Sequence, residues 1–134
     1  MRKLRRSDLQ GLLKTHVCDI FFLRRHPDRA PGRPAHRQML CTNSPEILRS
    51  ENGIRILNYR DPSGPKKVNT VTHNLVVTWD IMMQDWRNVS MDFCFLINKY
   101  PANEEFWKYF NKNIFPMSAN EKLRYMDTKL NLPK

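Results

Sequence analysis

The chain has 134 residues, 40% of them hydrophobic, which is enough for one compact domain with a buried core. Its net charge is +10 and its mean hydropathy is −0.65, so part of the chain must stay solvated. No apolar run approaches the ~20 residues of a membrane span, and no apolar segment follows the basic N-terminus, so neither a spanning segment nor a secretory signal is expected.

Residues 1–8 open as a basic arm, MRKLRR. Ser7 is the expected cap of a short helix, with Gln10 three residues on, and Leu9, Leu12 and Leu13 share one helical face. Gly11 weakens that helix by ~1 kcal/mol relative to alanine. His16 to Arg24, rich in β-formers, predicts a strand. Residues 25–35, RHPDRAPGRPA, hold three prolines and a glycine and predict a loop. His36 to Thr42 is the second expected strand. Ser44-Pro45-Glu46 has the form of a helix start, leading one short turn through Ile47 and Leu48 that Asn52-Gly53 stops. Ile54 to Tyr59 is expected as a third strand, and residues 61–73 as a polar loop.

Asn74 to Ile97 carries the main architectural signal. Leu75, Val77, Trp79 and Ile81 alternate with Val76, Thr78, Asp80 and Met82. After a turn at Met83-Gln84-Asp85, Val89, Met91, Phe93, Phe95 and Ile97 alternate with Asn88, Ser90, Asp92, Cys94 and Leu96. A period of two predicts two strands of one hairpin with a buried face. The period then changes. Asn103 is expected to cap a helix with Glu104 and Glu105 in its first turn and an apolar face of Phe106, Phe110 and Ile114. Pro116 ends it, and Ser118 to Glu121 forms a capping box opening a second helix through Leu123 and Met126. The tail after Asp127 is expected to be extended or loose. Short strands joined by polar loops, without helical crossovers, predict a small barrel or rolled sheet rather than a parallel sheet.

Three segments together resemble a known family. LLKTHVCDIFF, RQMLCT and LVVTWDIMMQDWRNVSMDFCFLI are similar to the small phage-associated proteins of the WYL-like group, with an Sm-like β-barrel of Src-homology-3 type. The residues that carry the likeness are Leu12-Leu13, then Gln38-Met39-Leu40-Cys41-Thr42, then Trp79-Asp80, Trp86-Arg87 and Asp92. The likeness covers residues 9–97. The chain departs from the group in the insertion at 25–35, the strand-like stretch at 44–60, the two following helices and the missing WYL tripeptide. The expected fold is therefore mainly β with α: an Sm-like barrel of about five strands over 9–100, a short N-terminal helix, and a C-terminal helical pair and tail over 101–134. The resemblance implies a phage or viral origin, with the protein in the host cytoplasm or the virion.

Charge points to the partner. Residues 1–38 hold ten basic and three acidic residues, a balance of +7. Such a one-sided field favours polyanions, nucleic acid first. The expected phosphate contacts are Arg2, Lys3, Arg5 and Arg6 in the arm, Arg24, Arg25, Arg29, Arg33 and Arg37 around the first loop, and Lys66 and Lys67 in the second. No base-reading helix is evident, so the expected binding to DNA or RNA is sequence-independent. Tyr59, Trp79 and Trp86 are candidates for stacking on bases, with Trp79 the better core residue. The alternative is a structural or assembly protein of a particle, with Phe106, Trp107 and Phe110 docking on a protein partner.

Other chemistry finds less support. His26-Pro27-Asp28 copies the J-domain tripeptide, but a strand precedes it and no helix pair surrounds it. The four histidines and three cysteines form no four-ligand metal spacing, so neither metal nor cofactor is expected. Cys18, Cys41 and Cys94 are odd in number, widely spaced and in apolar contexts, which predicts buried free thiols. No nucleophile has a neighbouring base or a glycine-rich phosphate loop. Asp80 and Asp92 would serve an enzyme only by sharing one cleft, and none is expected.

Overall fold

Alternation sets the centre of the molecule. In His16–Leu23 the side chains of Cys18, Ile20 and Phe22 go to one face and those of Val17, Asp19 and Phe21 to the other, and all are buried. A strand buried on both sides needs covering layers above and below it. The structure, a computed structural model, describes residues 2–26, 31–63 and 69–127. The strands are β1 (Arg2–Lys3), β2 (His16–Leu23), β3 (His36–Thr42), β4 (Leu75–Asp80), β5 (Asp85–Ser90) and β6 (Cys94–Pro101). The helices are α1 (Arg6–Thr15), α2 (Pro45–Leu48), α3 (Glu51–Arg55), α4 (Glu104–Tyr109), which runs into a π-helical turn at Phe110–Ile114, and α5 (Ala119–Met126). Among the described residues no helix is long and apolar enough to cross a membrane.

The strands form one antiparallel six-stranded sheet in the order β1-β6-β2-β3-β4-β5. β5 and β6 are far apart in this order, yet only residues 91–93 join them. The four steps from Ser90 to Cys94 reach no more than about 14 Å. The sheet must therefore roll, and β2 and β5 do approach each other although two strands lie between them. No ladder joins β5 to β6 among the described residues, so the expected five-stranded barrel is a rolled six-stranded sheet, not closed by hydrogen bonds.

Helices cover both faces. α1 lays Leu9 and Leu13 on the face that carries Cys18, Ile20, Met39, Val76 and Val89. The opposite face, with Val17, Leu40 and Trp79, receives Ile47 and Leu48 of α2 and Phe106, Phe110 and Ile114 of the α4 segment. α2 and α3 meet so closely that a Cβ on Gly53 would stand 2.0 Å from the Ile47 carbonyl oxygen, which reserves that position for glycine.

Several expectations change here. The arm is not free: Arg2 and Lys3 pair with Leu96 and Phe95, and α1 begins at Arg6. The start of α1 is held by the Asp8 carboxylate accepting from the Arg5 N–H at 3.0 Å, so Ser7 is not its cap. Ile54 to Tyr59 is no strand. The Ser50 hydroxyl accepts from the Gly53 N–H at 2.9 Å and donates to the Ile47 carbonyl at 2.6 Å, which starts α3 instead. The second hairpin strand is two strands. β5 stops at Ser90, and β6 pairs with β1 and β2. The three cysteines are free and buried, and burial pushes the thiols of Cys18 and Cys94 up to about 12.

Candidate anion-binding cleft

Parity along three strands builds the site. Arg37 alternates with Met39 and Cys41 and so points to their face of β3. Asp80 shares parity with Val76 on β4, and Arg87 shares parity with Val89 on β5. At the rim of this face Phe22, Arg24, Arg25, His26, Arg37, Arg87 and Asn88 line a cleft of ≈ 480 Å³. A smaller cleft of ≈ 250 Å³ next to it shares Arg24 and Arg25 and adds His73, Ser90 and Asp92.

Three of the four arginines are held in place, and Arg25 is exposed. Arg37 is only 7% exposed and donates from Nη2 to Asp80 Oδ2 at 2.8 Å. Its guanidinium lies 5.8 Å from the Phe22 ring centre. Asp80 is fully buried, and its other oxygen accepts from the Met82 and Met83 N–H groups, both at 3.1 Å. The tight turn after β4 thus fixes Asp80, and Asp80 fixes Arg37. The Arg37 Nε is buried with no hydrogen-bond partner among the described residues. Arg87 donates from Nη1 to Asp85 Oδ2 at 3.0 Å. Arg24 donates from Nε to the Pro34 carbonyl at 2.9 Å and from Nη2 to Asp127 Oδ1 at 3.1 Å. Burial, and then the like charges of Arg37 and Arg33, pull Arg24 below the ordinary arginine value. An anion in the cleft would relieve that repulsion. Three held arginines, Arg24, Arg37 and Arg87, with the exposed Arg25 beside them, suit an anion with several oxygens.

Arg24, Arg25 and Arg37, expected on charge, meet in this cleft. Arg33 stands beside it, bound to Asp127. Arg2, Lys3 and Arg5 are exposed but do not line it. Arg6 is tied back, donating from Nε to the Leu75 carbonyl at 3.1 Å. Arg29, Lys66 and Lys67 lie outside the described residues. Arg87, Asn88, His26 and the three positioning carboxylates Asp80, Asp85 and Asp127 were not expected in this role. The parity of Arg87 with Val89 was visible, but its meeting with Arg37 depends on the order β3-β4-β5.

Two other expectations shift. Phe106 and Phe110 are buried in the chain's own core, which removes them from a docking surface, while Trp107 is half-buried against both rings. Tyr59, Trp79 and Trp86 pack edge to face with centroids 5.4–5.8 Å apart, and Trp79 is fully buried. Asp80 and Asp92 sit at opposite ends of the β4–β5 hairpin, Asp80 facing Asp85 and Asp92 lying just past the Leu75–Ser90 pair.

α5 packs on the opposite face of the sheet, with Tyr125 against the cluster of Val17, Leu40 and Trp79, and Asp127 at its end reaches Arg24 and Arg33. The Tyr125 hydroxyl donates to Asp19, and the Gln38 side-chain amide donates to both Asp19 oxygens at 2.9 and 3.0 Å. Burial raises the Asp19 carboxyl above its ordinary 3.8, and the bonds from Tyr125 and Gln38 only partly oppose it. A raised folded-state value means that Asp19's contribution to stability is fully present below pH 3.8 and is lost as pH rises through the raised value. Asp8, Asp85 and Asp127 are lowered instead, so their windows lie below 3.8 and do not overlap this one. In urea unfolding from pH 4 upward, Asp19→Asn should therefore gain on the wild type as pH rises. Parallel stability curves would refute this reading of Asp19.

Comparisons with protein-family models, with curated proteins and with solved structures each return no match. The cleft is therefore read from its own geometry.

Proposed function

We propose that this chain is a non-enzymatic protein that binds nucleic acid through its phosphates, without sequence specificity, in the arginine cleft. The observation that carries the reading is the convergence of Arg24, Arg25, Arg37 and Arg87 on one space. Phosphate oxygens match forked guanidinium donors, and the held arginines lose little freedom on binding. The exposed Arg2, Lys3 and Arg5 add attraction at longer range without defining a site. The Sm-like reading belongs to the same proposal: a helix, then a meander from β2 to β6, rolled so that β6 lies beside β2, supports it. The viral setting implied by the WYL-like resemblance rests on that resemblance.

The test is a salt titration with labelled single- and double-stranded oligonucleotides of unrelated sequence. Log affinity should fall against log salt with a slope of about −3 to −4 if the four cleft arginines engage phosphates. Arg25→Gln and Arg87→Gln should each make the slope shallower by about 1 and leave the sequence-independence intact. An absence of binding at low salt, or unchanged slopes in both variants, would rule the reading out.

A further inference from the structure

The cleft already has an anion beside it, supplied by the chain itself. Asp127 follows the last turn of α5, where the helix dipole disfavours a carboxylate. Its partners explain its place. Arg33 grips it with two parallel bonds, Nε to Oδ2 and Nη2 to Oδ1, both at 2.7 Å, and Arg24 adds a third at 3.1 Å. This forked geometry is the one that guanidinium groups use for phosphate. Arg24 is shared: it lines the cleft and holds Asp127. The pairing also has its own hold on the sheet. α5 is pinned by Tyr125 to Asp19, which Gln38 of β3 orients, and by the buried Met126.

We propose that Arg24 and Arg33 form a phosphate seat that the chain itself fills with Asp127, so that α5 restrains the cleft and a nucleic-acid phosphate binds by displacing this carboxylate. The inference rests on the nucleic-acid reading of the cleft and adds its regulation. Ion pairs that are part-exposed, as these are, exchange readily, whereas a polyanion offers several linked phosphates at once. The Asp127 carboxylate is held below its ordinary value by Arg33, then by Arg24, so it stays a charged competitor through the neutral range. The resting chain thus keeps two arginines neutralised, and a bound strand exposes them to phosphate.

The test uses the full chain and a fluorescein-labelled oligodeoxythymidylate, read by anisotropy across a salt series. Asp127→Asn should bind roughly tenfold more tightly at low salt, with a slope close to that of the wild type, because the same arginines meet phosphate in both complexes and only the competing carboxylate is gone. Tyr125→Phe loosens α5 without changing charge and should shift affinity in the same direction by less. Asp61→Asn removes an equal charge from an aspartate bound to Arg49, away from both clefts, and should change affinity by no more than about twofold. Adding Arg24→Gln and Arg33→Gln to Asp127→Asn should abolish the gain. The inference fails if the wild type binds and Asp127→Asn binds no better, or if Asp61→Asn gains as much. If neither the wild type nor Asp127→Asn binds at low salt, the nucleic-acid reading itself falls and takes the inference with it.

Discussion

Asp80→Ala is expected to destabilise the fold by about 3–5 kcal/mol, the range for stranding one partner of a buried ion pair. Two losses combine. Arg37, with its side chain only 8% exposed, would keep its charge with no carboxylate beside it. The Met82 and Met83 N–H groups would also lose their acceptor, and the tight turn between β4 and β5 with it. Asp80→Asn separates these effects: an amide oxygen can still accept from the turn, but its N–H₂ would face the guanidinium, so the cost should be intermediate. Arg37→Met leaves the Asp80 carboxylate buried without its cation and should also be costly. The double variant Arg37→Met/Asp80→Ala should cost clearly less than the two single changes added together, because neither charge is then left alone. Urea unfolding of the four proteins measures this cycle. Strict additivity, or a cost below about 1 kcal/mol for Asp80→Ala, would show that the pair is not the anchor of the cleft.

Local punctuation explains which parts of this fold were legible in the sequence. β3 runs from His36 to Thr42 as expected, since a proline-rich loop precedes it and Ser44-Pro45 follows it. Asn103 accepts from the Glu105 N–H, and Ser118 and Glu121 make both bonds of a capping box, so the starts of α4 and α5 were readable from their side chains. The break between β5 and β6 was not. Met91-Asp92-Phe93 has neither glycine nor proline, and apolar alternation runs through it unbroken. The chain turns there with the Asp92 carboxylate accepting from the Asn74 side chain across the sheet end, a contact that depends on the fold. Ile54 to Tyr59 misled for the opposite reason: its apolar residues suit a strand, but the Ser50 cap three residues before Gly53 decides locally for helix. The site divides in the same way. Arg24, Arg25 and Arg37 stand out by charge, and the step from Arg37 to Met39 and Cys41 already places Arg37 on a core face, where a cation needs a partner. That the partner is Asp80, that Arg87 faces the same space, and that Asp127 arrives from α5 all depend on strand order and helix docking, which no local pattern encodes.

Phe106→Ala should cost about 3–5 kcal/mol, because the ring fills a core position and no partner is needed to bury it. Phe106 is fully buried in the cluster that contains Val17, Leu40 and Trp79, and its ring contacts those of Trp107 and Phe110 at 5.1 and 5.9 Å. Removing it would open a cavity between α4 and the sheet. Phe115→Ala, one turn past Phe110 and 67% exposed, should stay within about 0.5 kcal/mol of the wild type. The contrast separates two roles for the C-terminal segment. If α4 were an appended docking helix, Phe106→Ala would leave urea unfolding unchanged and weaken only a partner's binding. If α4 is part of the core, the midpoint falls and the sheet unfolds with the helix in a single transition. The second outcome is expected from continuity of the chain: β6 ends at Pro101, Asn103 caps α4 at once, and the Ala102 N–H donates to the Thr15 carbonyl at the junction of α1 and β2. A helix joined that closely to the central strands cannot peel away without exposing Trp79. The same coupling reaches the cleft, because Trp79 precedes Asp80, and anything that loosens the helical face of β4 also loosens the carboxylate that orients Arg37.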